Sequence, residues 1–244
     1  MNEQTKIYEA NLARHFETFV HDLSLDMRTS LNSISGHSRS ILDDTTGTLA
    51  DQHKQHIETI HNIVTHALAL NYDLVDIAKL IMGKIQLQFQ DINLNTIIDE
   101  VVSVFEGRKL GKQTIQIQSE LISDLPVIQA DSIRLRQILH NILGVVVSNA
   151  SAYTSTNVVS IKAIWTSQFP IIQISIICSG NIDPNITALL AEDDPLPLLN
   201  TDFYTLFIAK SLINLHGGRL WIDVGDISDI IQFTLPVSQG GIQI

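Results

Sequence analysis

From about Glu9 to Leu42 the chain has no proline, and its apolar residues return at helical spacing. Val20, Leu23, Met27, Leu31, Ile34 and Ile41 form one stripe, as on an amphipathic helix. The segment D-D-T-T-G at 43–47 breaks that pattern, with Gly47 as the turn residue, and Thr48 with Asp51 reads as an N-cap pair opening a second helix. There Ile57, Ile60, Val64, Ala67, Asn71, Leu74, Ala78 and Ile81 alternate spacings of three and four, a heptad-like seam with Asn71 as its polar interruption. Ile63, Leu70 and Ile77 add a second row. This apolar face is wider than two helices need. Two hairpins packed as a four-helix bundle would cover it, so a homodimer is expected; the alternative is that the rest of the chain covers it.

After Met82-Gly83 the period changes from 3.6 to 2. I-Q-L-Q-F-Q at 85–90 and I-Q-I-Q at 115–118 alternate like half-buried strands. Between them a helix is expected over about 93–106, with Asn93 at its N-cap. A second should start near Asp131 and run through D-S-I-R-L-R-Q-I-L-H-N-I-L. Strands are predicted at 157–165 and 171–178, joined by a turn near Gln168-Phe169-Pro170. A helix over about 201–215, closed by His216-Gly217-Gly218, and the strands R-L-W-I-D-V and I-I-Q-F-T-L-P complete the order. The fold class is α+β: a helical hairpin over 1–84, then an α/β sandwich over 85–244 with a mixed, mostly antiparallel sheet and helices on one face.

Composition narrows the function. Hydrophobic residues at 45% and charged residues at 17% suit a globular protein. A formal charge of −11 argues against nonspecific binding to nucleic acid or anionic membrane. The single cysteine, Cys178, excludes an internal disulfide, and no apolar run approaches the roughly 18 residues that span a bilayer. The start M-N-E-Q-T-K is not a signal peptide, so a cytoplasmic location without membrane insertion is expected. His53, His56, His61 and His66 fall on the second helix without a metal-ligand pattern and read as surface residues; no metal is expected.

The stretch F-E-T-F-V-H-D-L-S-L-D-M-R-T-S-L-N-S-I, Phe16 to Ile34, resembles the phospho-acceptor helix of sensor histidine kinases, F-x-x-x-x-S-H-E-L-R-T-P-L-x-x-I. Ser24, Asp26, Met27, Arg28, Thr29, Leu31 and Ile34 keep the register, but Leu25 stands where the reactive histidine belongs. At about 100° per residue, position 25 lies some 200° from Leu23, outside the core stripe. His21-Asp22-Leu23, one turn earlier, is similar to the H-D-L of dimeric histidine phosphotransferases, which leaves His21 as an alternative acceptor or as a plain surface histidine. Farther on, D-S-I-R-L-R-Q-I-L-H-N-I-L and A-K-S-L-I-N-L-H-G-G-R-L-W-I resemble the ATP-binding domain of the same family, so the likeness spans nearly the whole chain.

That resemblance implies a nucleotide site, and its motifs have eroded. The magnesium-ligating asparagine expected one turn after Asn141 is Val145. Asn149 is an alternative counterpart, displaced by about 6 Å along the helix, with Ala152 in place of the usual lysine. Cys178 replaces the adenine-binding aspartate of D-x-G-x-G, where only Gly180 survives, and a thiol is a weak acceptor. Phe203 and Thr205 replace both glycines of G-x-G-L and put side chains where phosphate would sit. Glu192-Asp193-Asp194 would repel a polyphosphate. These losses predict no bound ATP or magnesium. The expected function is a catalytically inactive histidine-kinase-like dimer, a scaffold or regulator in two-component signalling. His21, Leu25 and Arg28 would dock a response regulator or a true histidine kinase. The alternatives are a phosphotransferase using His21 and an active kinase with a divergent pocket.

Overall fold

The computed structural model describes residues 3–43, 49–107, 109–110, 113–122, 124–150, 158–166, 169–178, 201–225 and 228–238. Contacts divide the chain into two units, Met1–Ile85 and Gln86–Ile244.

The first unit is a hairpin of α1 (Glu3–Asp43) and α2 (Asp51–Ile81). Its seam is made of Val20, Ser24 and Ser38 from α1 against Val64, Asn71 and Ala78 from α2, all buried. Serine and alanine at these sites let the backbones approach, and polar groups on the seam then find each other. Asn71 Nδ2 donates to Ser24 O at 2.9 Å, and Ser38 Oγ lies 3.0 Å from His61 Nδ1. His61 is therefore part of the helix contact, not the surface residue expected.

The expected α1 stripe is split. Val20 is buried and Leu31 half-buried, whereas Leu23, Met27, Ile34 and Ile41 stay 40–44% exposed. On α2, Ile60, Ile63, Leu70, Leu74 and Ile81 are exposed as well. The reason is angular: a hairpin contact covers a narrower arc than this apolar pattern. The α2 start also differs from expectation. Ala50 occupies the N-cap without a side-chain hydrogen bond, and Gly47 and Thr48 lie outside the described residues. At the other end Gly83, at φ 62°, donates its N–H to Leu80 O and stops the helix.

The second unit contains β1 (Gln90–Ile92), α3 (Leu94–Phe105), β2 (Lys109–Leu110), β3 (Gln113–Thr114), β4 (Gln116–Leu121) and β5 (Ile128–Ala130). It continues with α4 (Ser132–Ala150), β6 (Val158–Thr166), β7 (Phe169–Cys178), α5 (Thr201–Leu215), β8 (Leu220–Asp223) and β9 (Ile230–Pro236). The main sheet has the order β4-β6-β7-β9-β8; β4 and β6 run parallel and the other neighbours antiparallel. β1 pairs with β5, and β2 with β3.

Alternation along β7 and β9 decides which face meets the helices. Ile172, Ile174, Ile176, Ile231, Phe233 and Leu235 are buried, while the residues between them are half-buried. On that second face Gln232 bonds Gln173, Ser175 and Asp223. The buried face packs on α4 and α5, whose Leu135, Ile138, Leu139, Ile142, Leu212 and Ile213 are fully enclosed.

Local capping agrees with the sequence. Asn93 accepts from Thr96 N, and Asp131 Oδ1 accepts from Ile133 N at 3.0 Å and Arg134 N at 3.1 Å. The strand expected over 85–90 does not form; only Gln90 joins β1. The other carboxylate oxygen of Asp131 takes Gln88 N–H at 2.9 Å, so this donor serves a side chain rather than a ladder. β7 starts at Phe169, inside the predicted turn. The H-G-G word has two physical duties: Gly217 adopts φ 79°, and a Cβ on Gly218 would stand 1.9 Å from Thr234 O.

Candidate functional site

On α1, buried Ser24 fixes the phase of its neighbours. Leu25, about 100° further round, is 51% exposed. Thr29 Oγ1 donates to Leu25 O at 2.9 Å, and Ser30 Oγ to Asp26 O at 3.1 Å, so both hydroxyls are spent on the helix itself. Arg28 is half-buried. Its guanidinium lies 4.7 Å from the centroid of the Tyr72 ring on α2, a cation–π contact, and Nη2 reaches Ser24 Oγ at 3.5 Å. Arg28 Nε and Asn71 Oδ1 are buried without a hydrogen-bond partner.

His21 is exposed and lines a cleft of about 240 Å³ with Thr18, Val20, Val75, Ala78, Lys79 and Met82. Tyr72 and Lys79 escaped the sequence reading. Seven residues apart, they share a face of α2, but nothing in either helix says which residues of α1 they meet. Asp73, on the same helix, has its carboxyl pushed up to about 6, first by burial and then by Asp76, with His66 partly offsetting both.

In the second unit Asn141 is buried on α4, and its Nδ2 donates to Thr205 O at 3.2 Å on α5. Val145, one turn on, is 1% exposed and offers no oxygen to a cation. Phe203 and Thr205 lie within the first turns of α5. The Phe203 ring is buried, edge-on to Tyr204 at 5.5 Å and stacked with Phe207 at 6.3 Å. The structure thus brings Asn141 and Thr205 together where the two helices touch. Asn149 closes α4 and Cys178 closes β7 opposite Val159, but their side chains lie outside the described residues. Gly180, Ala152 and the acids at 192–194 lie outside them too.

His216 carries a structural role that the sequence reading assigned only to a helix end. It is 1% exposed; its Nδ1 donates to Leu212 O at 2.8 Å, and its Nε2 accepts from Asp131 N at 3.1 Å. The Phe89 ring stands edge-on 5.6 Å away. Burial lowers the imidazole pKa, against smaller upward effects from the Leu212 carbonyl and Asp131. Among the described residues no helix is long and apolar enough to cross a membrane, and no group of three or more metal-ligating side chains occurs.

No protein-family model matches the chain. Among curated proteins it is 29% identical over 250 residues to the non-motile and phage-resistance protein of Caulobacter vibrioides, covering 96% of this chain and 28% of that protein. It is 33% identical over 149 residues to the cell-division control histidine kinase PdhS of Brucella ovis, covering 60% of this chain and 14% of that one. The chain therefore spans well under two thirds of these relatives. Among solved structures, full-length ShkA in complex with AMPPNP superposes with a TM-score of 0.69 at 24% identity, over 93% of this chain and 47% of ShkA. The histidine kinase ThkA in complex with the response regulator TrrA gives 0.54 at 20% identity, over 97% of this chain and 67% of ThkA. A helical hairpin followed by an ATPase-like α/β domain gives this chain the fold of a histidine-kinase core, and its sequence is similar to that of a histidine kinase.

Proposed function

We propose that this core acts by contact rather than by phosphoryl transfer, as a dimeric scaffold or regulator in two-component signalling. Leu25 carries the reading: the acceptor position points outward, as transfer requires, yet bears a group that neither accepts nor donates a phosphoryl. The donor side agrees. A magnesium–nucleotide complex does not fit Val145, which is sealed and apolar, or Phe203, whose ring fills the start of α5. The exposed apolar arcs of α1 and α2 support self-association, and the outward flank with His21, Leu25 and Arg28 supports docking of a response regulator, the partner that ThkA holds. Calorimetric titration with Mg-ATP is the decisive test. No heat of binding at millimolar nucleotide is expected; saturable binding would restore the divergent-kinase reading.

One observation favours a second reading. His21 is exposed beside Lys79, whose charge would stabilise a phosphoryl group on the imidazole. Incubation with a phosphorylated receiver domain separates the two. Label that appears on this chain and vanishes in His21→Ala supports phosphotransfer, and an unlabelled chain leaves contact alone.

A further inference from the structure

The second unit begins with a segment that burial does little to hold. Over 86–90, Leu87 is half-buried and the other four residues are exposed. The attachments of this segment converge on one spot. Gln88 N–H donates to Asp131 Oδ2 at 2.9 Å, Gln90 Nε2 to Ser132 Oγ at 2.6 Å, and the Phe89 ring meets the His216 ring at 5.6 Å and 75°. Asp131 is the node. Its other carboxylate oxygen caps α4, and its own N–H donates to His216 Nε2 at 3.1 Å. Asp131 and His216 are both buried. The imidazole therefore holds the aspartate, and the aspartate holds the segment by which the chain enters the second unit.

We infer that His216 is a proton-operated latch on this entry segment: a proton on Nε2 releases Gln88 and the residues around it, while the sheet and helices behind them stay folded. Nδ1–H is spent on Leu212 O at 2.8 Å, so Nε2 must remain a bare acceptor for the Asp131 N–H. A proton there sets donor against donor and places a cation beside the Asp131 carboxylate. That carboxylate can turn to the cation only by giving up Gln88 N–H or the α4 cap. The cap has two N–H donors at the positive end of a helix, Ile133 and Arg134, whereas Gln88 offers one bond from an exposed segment. The bond to Gln88 yields first. Of the charged groups around the ring, Asp131 favours the proton, and burial outweighs it. Arg134 turns its guanidinium to Gln137 at 2.7 Å, residues 86–90 bring no titratable side chain, and Lys210 and Arg219 are the nearest charges along α5 and the turn after it. The latched ring is thus neutral, and opening is favoured as pH falls below about 6.5.

Amide hydrogen exchange of the full chain, followed by NMR and corrected for the intrinsic rate at each pH, tests the latch. Between pH 7.5 and 5.5 the protection of the Gln88 amide is expected to fall severalfold, with about tenfold the ceiling for one proton taken up by an ordinary imidazole in the open state. The Ile174 amide, on β7 between β6 and β9, should stay better protected than Gln88 throughout. In His216→Gln, whose amide oxygen can accept from Asp131 N–H but takes no proton, Gln88 protection should not respond to pH over this range. Equal protection at Gln88 and Ile174 means that the unit opens only as a whole, and overturns the latch. A Gln88 amide indifferent to pH in the wild type overturns it as well, as does one that responds equally in His216→Gln. If His216→Gln does not fold, Asp131→Asn decides: it keeps an oxygen for the α4 cap and loses the acceptor for Gln88. Protection of Gln88 should then be lost at every pH, and protection that persists as in the wild type sinks the proposal.

Discussion

At His216 both ring nitrogens are committed: Nδ1–H to Leu212 O, and the Nε2 lone pair to Asp131 N–H. Only the neutral ring satisfies both, because protonation would set two N–H groups against each other. The folded pKa lies below the ordinary 6.5, so the unfolded chain takes up the proton first. The contribution of His216 to stability is therefore full above about pH 6.5 and falls as pH drops below it. Urea midpoints at pH 8, 7, 6 and 5 should show this decline, and His216→Gln should flatten it. Asp73 has the opposite sign. With its pKa raised from 3.8 to about 6, it binds its proton more readily when folded, so its contribution is lost as pH rises through that interval. Asp73→Asn should stabilise the hairpin at pH 7 and leave it unchanged at pH 3. At position 25 the expectation is functional: if nucleotide binding is lost as proposed, Leu25→His gives no label from radioactive ATP, read by autoradiography.

At the scale of elements, the seam of the hairpin is polar where it could have been apolar. Asn71 keeps one hydrogen bond, to Ser24 O, while its Oδ1 has none. An unsatisfied buried carbonyl costs about 1–3 kcal/mol, and a bond to a backbone oxygen returns about 1 kcal/mol. Asn71→Leu should raise hairpin stability by roughly 1 kcal/mol, read from the urea midpoint, and loosen the register that the asparagine specifies. The turn after α5 is constrained in the opposite way. Since a Cβ on Gly218 collides with backbone rather than with a flexible side chain, Gly218→Ala should cost roughly 1–3 kcal/mol or more. Element positions were largely legible. Asn93 and Asp131 cap the helices expected of them, and the alternation in β7 and β9 gives their faces directly. The segment 85–89 misled because its alternation is genuine, yet Gln88 N–H is captured by a carboxylate 43 residues away. No local pattern encodes that.

For the whole molecule, the outstanding feature is the apolar face that the hairpin leaves open. Leu23, Met27, Ile34 and Ile41 of α1 and Ile60, Ile63, Leu70, Leu74 and Ile81 of α2 are all more than a third exposed. So many large apolar side chains on two adjacent helices mark an interaction surface. A second hairpin would cover them, giving a particle of twice 27.1 kDa by sedimentation equilibrium. Ile34→Lys combined with Ile63→Lys should yield monomers without unfolding, because neither residue belongs to the intrachain seam.

The sequence by itself determined the helices, the long strands of the main sheet, the Asn93 cap and the H-G-G turn, because each follows from periodicity or from one residue's backbone chemistry. It also aligned Leu25, Val145, Phe203 and Thr205 with motif positions of the resemblance, since a motif is a matter of spacing. Tertiary structure alone decided how the apolar stripe divides between a buried seam and an open face. It paired Asn141 with Thr205 across 64 residues, and it set His21 with Lys79 and Arg28 with Tyr72 on one flank. Such pairings depend on the phase in which two helices meet, and that phase is set by packing, which neither helix carries alone.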